Sequence, residues 1–493
     1  MRRPPACKSF ALFLLGLCWL ASSAAADKLP EPIASVLKHQ GMSARGLSLY
    51  VHEIGQPEPL LAIAADAPRH PASTIKVLTT LVALEELSPA WHWKTEAYVT
   101  APVRDGQLDG DLYIKGYGDP YLVIEHFWRF LRTLRAAGIQ TIKGDLVLDQ
   151  GYFAREPGDA GEFDNQPLRA YNVLPNALLV NFQAVNFRFM PQPQAYRVQI
   201  FADPLPANVE VENRITLARG PCRGWAHNLG MKVQHRKGQT RVIFSGSYDA
   251  DCGDNELFRV VSEPAPYILG MFRALWTELG GRFEGEVREA TVPAGARLLA
   301  TVNSPPLADI IRSINKYSNN VMARQLLLTL GAELRSAPGT TDKGIQVVHE
   351  WLKQHRLDFP ELVLENGAGL SRAEAISARH LGEVLLAAWR SPFMPEFVSS
   401  LPISAMDGTL RKRFNEDGLE GQMHLKTGSL RDVRSVAGYV QDRAGRRVIV
   451  VCLHDSSRAD TAAGQAVQEA VLKWVYERPR EFKLDSPYGM VNP

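Results

Sequence analysis

"PASTIKVLTT", residues 71–80, places Ser73 and Lys76 three positions apart, just after Pro71 and at the head of an apolar run. Ile75, Val77, Leu78, Leu81, Val82, Leu84 and Leu87 recur at three- and four-residue steps until Pro89 stops the pattern. This spacing predicts a helix apolar around much of its circumference, lying in a core. Positions i and i+3 share a helix face, so the Ser73 hydroxyl and the Lys76 amine meet. Free backbone N–H groups and the dipole of the first turn favour developing negative charge there. Four residues thus supply a nucleophile, a proton acceptor and part of an oxyanion site.

The competing reading of Ser73 is an ordinary helix N-cap. Serine-x-x-lysine is loose, expected on the order of once by chance in a chain this long, and it recurs as Ser313-Ile314-Asn315-Lys316. The chemistry therefore has to ask for more. From an unperturbed pKa of about 10.4, keeping a lysine neutral at pH 7 costs about 4.6 kcal/mol. Burial and a second nearby cation both lower that pKa, so a second lysine is expected at the site. "HLKTGSLRDVRSVAGYV" offers Lys426-Thr427-Gly428 ahead of a strand pattern, with Gly428 leaving room for a substrate backbone at the strand edge. The backbone N–H of Ser429 would join that of Ser73 in an oxyanion hole. "KYSNN" adds Ser318 as a proton shuttle and Asn320 as a holder of a substrate amide.

Composition narrows the partners. The chain has 493 residues, 45% hydrophobic and 22% charged, which predicts a folded protein of two or three domains. Lys+Arg 55 against Asp+Glu 53 leaves a net charge of +2, without the basic surplus that follows a phosphate backbone, so nucleic acid is not an expected partner. "MRRPPACKSFALFLLGLCWLASSAAADK" has a basic start, a short apolar stretch and small residues to Ala26, the pattern of a signal peptide over 1–26. No other stretch reads as membrane-spanning, so an exported protein without an integral membrane segment is expected. In that oxidising setting Cys222 and Cys252, 30 positions apart, are the expected disulfide, which would stabilise by about 3 kcal/mol. Cys452, inside "RVIVVCLHD", reads as a buried strand cysteine.

Residues 46–66 read as two strands, and "SVAGYVQDRAGRRVIVVCLHD" repeats that logic with a turn at Asp442–Gly445. A helical pattern, "TAAGQAVQEAVLKWVYE", follows, so the two ends of the chain are expected to build one sheet. From about 96 to 300 the sequence is glycine-punctuated and β-rich, with one clear helix in "PAPYILGMFRALWTELGG".

The ordered set "STIK", "SNN" and "KTG" resembles the penicillin-binding proteins of the D-alanyl-D-alanine carboxypeptidase/endopeptidase type, the low-molecular-mass class C group. The 242 positions between Lys76 and Ser318 look like that group's large insertion, and "GDLYIKGYGDP", "ENGAGLSR" and "DGTLRKR" resemble its flanking stretches. The resemblance implies an α/β (α+β) fold: a serine β-lactamase/transpeptidase-like domain with an antiparallel sheet flanked by helices, plus a large, mainly β inserted region. The implied division is a catalytic domain at 27–95 and 301–477, the insertion at 96–300 and a tail at 478–493. It further implies an acyl-enzyme on Ser73 with Lys76 as base, Ser318 relaying a proton and Asn320 positioning the peptide. Lys426 and Thr427 would bind a terminal carboxylate. Arg372 and Asp407 fall in the flanking stretches as substrate-side or supporting residues, and Asn181 as a contact from the insertion. The implied partners are peptidoglycan peptides, with β-lactams as covalent inhibitors; no cofactor or metal is expected, and a homo-oligomer stays open.

Other patterns are weaker. His349 and His355 stand six apart, whereas a zinc-protease helix needs four. "GYGDPY" breaks from a dinucleotide loop at Asp119-Pro120. Glu361 and Glu365 lie in the right order for a deacylating glutamate but read as structural. Two alternatives remain: a β-lactamase or esterase on the same scaffold, and an idle murein-binding scaffold protein.

Overall fold

The computed structural model describes residues 28–415 and 418–478. The expected leader, with Cys7 and Cys18, and the tail from 479 lie outside the described residues. Strands β1 (Leu47–Glu53), β2 (Leu61–Ile63), β3 (Met423–Leu430), β4 (Val433–Gln441) and β5 (Arg447–Asp455) form an antiparallel sheet in the order β2-β1-β5-β4-β3. Leu47 pairs with His454 and Tyr50 with Val451, so the two ends of the chain lie side by side at the sheet's centre. Both faces of β5 are buried: Val448, Val450 and Cys452 point into one core, Ile449, Val451 and Leu453 into another. That double burial explains why "RVIVVCLHD" reads as a continuous apolar run rather than an alternating one.

One face is covered by α1 (Glu31–His39) and the last described helix, Ala462–Tyr476. The other is covered by α2 (Lys76–Leu87), α3 (Leu307–Tyr317), α4 (Asn320–Arg335) and α5 (Ala378–Arg390). Every residue of α2 from Lys76 to Leu84 is buried, as its circumference of apolar residues requires.

The long excursion between α2 and α3 leaves through strand Lys94–Val99 and returns through Arg297–Asn303, and these two strands pair antiparallel. Between them lie further sheets around a core of their own, which includes Phe127, Phe187, Phe244, Phe272 and Trp276. Two long helices lie there, not the single one expected: Pro264–Glu278 and also Ile124–Ala136, whose Phe127, Phe130, Leu131 and Leu134 are buried at helical spacing. The surrounding glycine-rich strand signals obscured that short amphipathic stretch.

Cys222 and Cys252 are joined in a disulfide just beyond the paired ends of the parallel strands Val209–Ala218 and Gln239–Asp249. Replacing both cysteines by serine is expected to weaken this region by about 3 kcal/mol. Hydrogen exchange should then rise in these two strands while α2 stays protected; unchanged exchange in both strands would show that the bridge contributes nothing.

Candidate active site

Ser73 sits in a 3-10 turn, Ala72–Ile75, that runs directly into α2. The turn is tied from three sides. Pro71 O accepts from Thr74 N–H (3.2 Å), Thr74 Oγ1 (2.6 Å) and Ser435 Oγ on β4 (2.5 Å). Ala72 has φ +46°, a left-handed conformation that costs a non-glycine residue about 1 kcal/mol or more. Its N–H donates to His70 Nδ1 (2.9 Å), so the imidazole carries its proton on Nε2 and donates to Ser371 O (2.8 Å). Burial lowers the pKa of His70, consistent with this neutral tautomer. Two glycines allow the close fit: a Cβ on Gly369 would lie 2.0 Å from Ala72 O, and one on Gly428 would lie 2.8 Å from Ser73 N.

Lys76 is fully buried, and its Nζ meets three oxygens: Ser73 Oγ (3.0 Å), Asn320 Oδ1 (2.7 Å) and Ala368 O. A neutral amine has two N–H donors and one lone pair. Asn320 Oδ1 and Ala368 O both accept from Nζ, so when the amine is neutral its lone pair is left for the Ser73 hydroxyl. Burial pushes the pKa of Lys76 down to about 7, with buried Glu374 acting in the opposite sense. Burial thus does for Lys76 what the sequence reading assigned partly to a second lysine.

That second lysine is present. Lys426 on β3 is also fully buried and donates to Ser318 Oγ (2.8 Å) and Thr427 O (2.7 Å). Its pKa is held well below the usual value by burial and then by repulsion from Lys76.

"SNN" divides three tasks among neighbours. Ser318 ends α3 in a left-handed conformation, φ +55°, and takes the bond from Lys426. Asn319 caps α4, its side chain accepting from Met322 N–H (3.0 Å). Asn320, the first residue of α4, turns to Lys76. The three motifs therefore close a circuit: Ser73 to Lys76, Lys76 to Asn320, Ser318 to Lys426, and Gly428 back against Ser73.

β3 is an edge strand. Leu425 N–H donates to Pro402 O (2.9 Å) and His424 bridges Ile403, but no strand pairs with the outer side from Lys426 onward among the described residues. An extended peptide can add there. Thr427 Oγ1 bonds Thr409 Oγ1 (2.7 Å), and Ser429 is exposed beyond it.

The remaining residues separate. Asp407 accepts from Ile403 N–H (2.8 Å) and pairs with Lys316 Nζ (2.7 Å), bracing the turn that presents Thr409. Arg372 is exposed, lies over the Phe163 ring (4.9 Å) and donates to Arg431 O (3.3 Å), linking the inserted region to the turn after β3. Asn181 does not join the circuit. Its side chain accepts from Ile124 N–H (3.3 Å) and donates to Ala184 O (3.2 Å), so it fastens the start of helix Ile124–Ala136 inside the insertion. In the duplicate motif, Asn315 bonds Thr80 and Ser400, and Lys316 bonds Leu401 O (2.6 Å), all internal. Glu361 serves Ser377 N–H and His380, while Glu365 takes the Ser371 hydroxyl. Cys452 is buried, its thiol pushed up to about 12.

Sequence reasoning missed His70 and Glu374. The contribution of "ENGAGLSR" is the Ala368 carbonyl, and a backbone acceptor leaves no trace in residue type.

A family model described as the D-Ala-D-Ala carboxypeptidase 3 (S13) family matches residues 29–478. The D-alanyl-D-alanine carboxypeptidase of Actinomadura sp. (strain R39) is 30% identical over 464 residues, covering 92% of this chain and 85% of that protein. The D-alanyl-D-alanine carboxypeptidase DacB of Haemophilus influenzae is 24% identical, covering 77% of this chain and 79% of its own. Among solved structures, penicillin binding protein 4 from Haemophilus influenzae superposes with a TM-score of 0.75 at 22% identity, covering 90% of this chain and 99% of that one. That likeness shows the shared fold.

NMR titration of protein carrying 13C at lysine Cε is expected to show a resonance, absent from Lys76→Met, with its midpoint near the value of about 7 set by burial. A Lys76 that titrates with the surface lysines would overturn the neutral-amine assignment.

Proposed function

Because this chain belongs to the D-Ala-D-Ala carboxypeptidase 3 (S13) family, its family model spanning residues 29–478, we propose that it is a serine-type D-Ala-D-Ala carboxypeptidase and DD-endopeptidase of peptidoglycan. Its substrates in this reading are stem peptides and peptide cross-links. The observation that carries the reading is the fully buried Lys76 Nζ, 3.0 Å from Ser73 Oγ and flanked by the acceptors Asn320 Oδ1 and Ala368 O.

Ser73 Oγ attacks the carbonyl carbon of the penultimate D-alanine as its proton passes to Lys76 Nζ. The oxyanion forms against the backbone N–H groups of Ser73 and Ser429. Ser318, bonded to Lys426, relays a proton to the leaving amine, which is free D-alanine in one activity and the cross-linked residue in the other. Asn320 positions the peptide, Lys426 and Thr427 receive the terminal carboxylate, and Gly428 leaves space for the substrate backbone. Water then hydrolyses the ester. Arg372 and Asp407 support this site, and Asn181 supports the inserted region. The separate cores and the paired entry and exit strands favour a catalytic unit of 27–95 and 301–477 with an inserted unit of 96–300.

A β-lactam offers Ser73 an amide whose leaving nitrogen stays tethered, so acylation would trap the enzyme. Glu361 and Glu365, the acids considered for deacylation, are both engaged in hydrogen bonds elsewhere. No helix among the described residues is long and apolar enough to cross a membrane. With the expected leader and the disulfide, this favours a periplasmic location.

Labelled penicillin should acylate the wild type and leave Ser73→Ala unlabelled; labelling of the alanine variant would remove Ser73 from its role. Intact mass should show the adduct persisting, whereas rapid return of free enzyme would favour the β-lactamase reading. Purified protein should release D-alanine from monomeric muropeptides and split cross-linked dimers, and failure at both would leave a murein-binding scaffold. Because the base must be neutral, the acylation rate should rise with pH through about 7, where burial sets Lys76, and level off above it. A flat profile between pH 5 and 9 would refute Lys76 as the base.

A further inference from the structure

Residues 365–374 form a loop moulded onto the start of α2. Gly367 O accepts from Thr79 Oγ1 (2.8 Å), Ala368 O accepts from Lys76, and Gly369 packs on Ala72 O. Asn366 holds the loop from within, accepting from Ala368 N–H (2.9 Å) and donating to Leu370 O (2.8 Å). At the end of the loop stands Glu374, only 2% exposed. Its Oε1 accepts from the N–H groups of Glu365 (3.3 Å) and Asn366 (3.2 Å), while its Oε2 is buried without a hydrogen-bond partner. Two long amide bonds are weak compensation for burying a carboxyl. A carboxyl kept in that condition, on the loop whose Ala368 O holds Lys76, calls for a role.

Resting on the reading of Ser73 and Lys76 given above, we propose that Glu374 is a positioning residue for acyl transfer. Its carboxyl, pinned by two amides of the loop that holds Lys76, supplies the negative charge against which Lys76 takes up the Ser73 proton. As Ser73 Oγ bonds to the carbonyl carbon, the Oγ–H proton moves to the Lys76 lone pair. The amine becomes ammonium, and no proton passes to Glu374. The titratable groups that act on Glu374 are Lys76 on α2 and Glu365 on the loop itself; Lys76 in turn faces Lys426 on β3, and burial lowers the pKa of His70. Burial raises Glu374 to about 7, with Lys76 pulling it down, and Glu374 in turn opposes the burial of Lys76. Two groups of opposite charge type that titrate in one range and act on each other share their titration steps.

The test is the pH profile of Ser73 acylation by a fluorescent penicillin in Glu374→Gln, which keeps the shape and the acceptor for the two loop amides. Without the carboxylate, Lys76 is a weaker base. The rising limb should move to lower pH by about half a unit or more, and the plateau should fall about tenfold. Glu374→Asp, which keeps the charge, should leave the limb within about 0.2 unit of the wild type. A limb unmoved in Glu374→Gln would overturn the proposal and leave Glu374 as a fastening of the loop. If Glu374→Gln does not fold, 13C titration of the wild type decides: Glu374 and Lys76 should share their inflections, and independent curves would overturn the inference. Absence of wild-type acylation would instead refute the Ser73 reading itself.

Discussion

The site depends on one buried amine. Lys76 lies under Ser73 with no exposure, and the three oxygens around it come from three distant parts of the chain: the turn before α2, the start of α4 and the loop at 365–374. An ammonium placed there loses its hydration, whereas an amine fits two acceptors and one hydroxyl. The folded state therefore selects the basic form that nucleophilic catalysis needs. Packing that would otherwise only stabilise a core becomes the means of activation.

Much of this was legible locally. Helical periodicity around Ser73 and Lys76, the glycine of "KTG" and the strand pairs at both ends each follow from short-range patterns. A second lysine near Lys76 was expected from the chemistry a serine–lysine pair requires; Lys426 is buried at the site and donates to Ser318 Oγ. The parts that were not legible depend on tertiary placement. His70 and Glu374 are single residues without a motif, and the third partner of Lys76 is a carbonyl that any residue could provide. Asn181 is ambiguous in sequence, because an asparagine that fastens a helix start reads like one that contacts a peptide. Helix Ile124–Ala136 was masked because its apolar positions interleave with arginines between glycine-rich strands.

Strain and support are found at the same places. The left-handed Ala72 and Ser318 flank the reactive groups, and each is held by partners on other elements: His70 and Ser435 for the first turn, Lys426 for the second. The glycines at 369 and 428 have the complementary task, since any side chain there would displace the backbone that holds Ser73. Positions that cannot relax are what keep a nucleophile in one geometry before substrate arrives.

The pairing of Lys94–Val99 with Arg297–Asn303 has a consequence for assembly. Bringing Lys76 to Asn320 along the bare chain would mean closing a loop of well over two hundred residues. Once those two strands zip together, α2 and α3 are joined by the equivalent of a hairpin, and the entropy of that long loop no longer opposes their meeting. The inserted region, packed around a core of its own, thus holds the two ends of that long stretch together like a clasp.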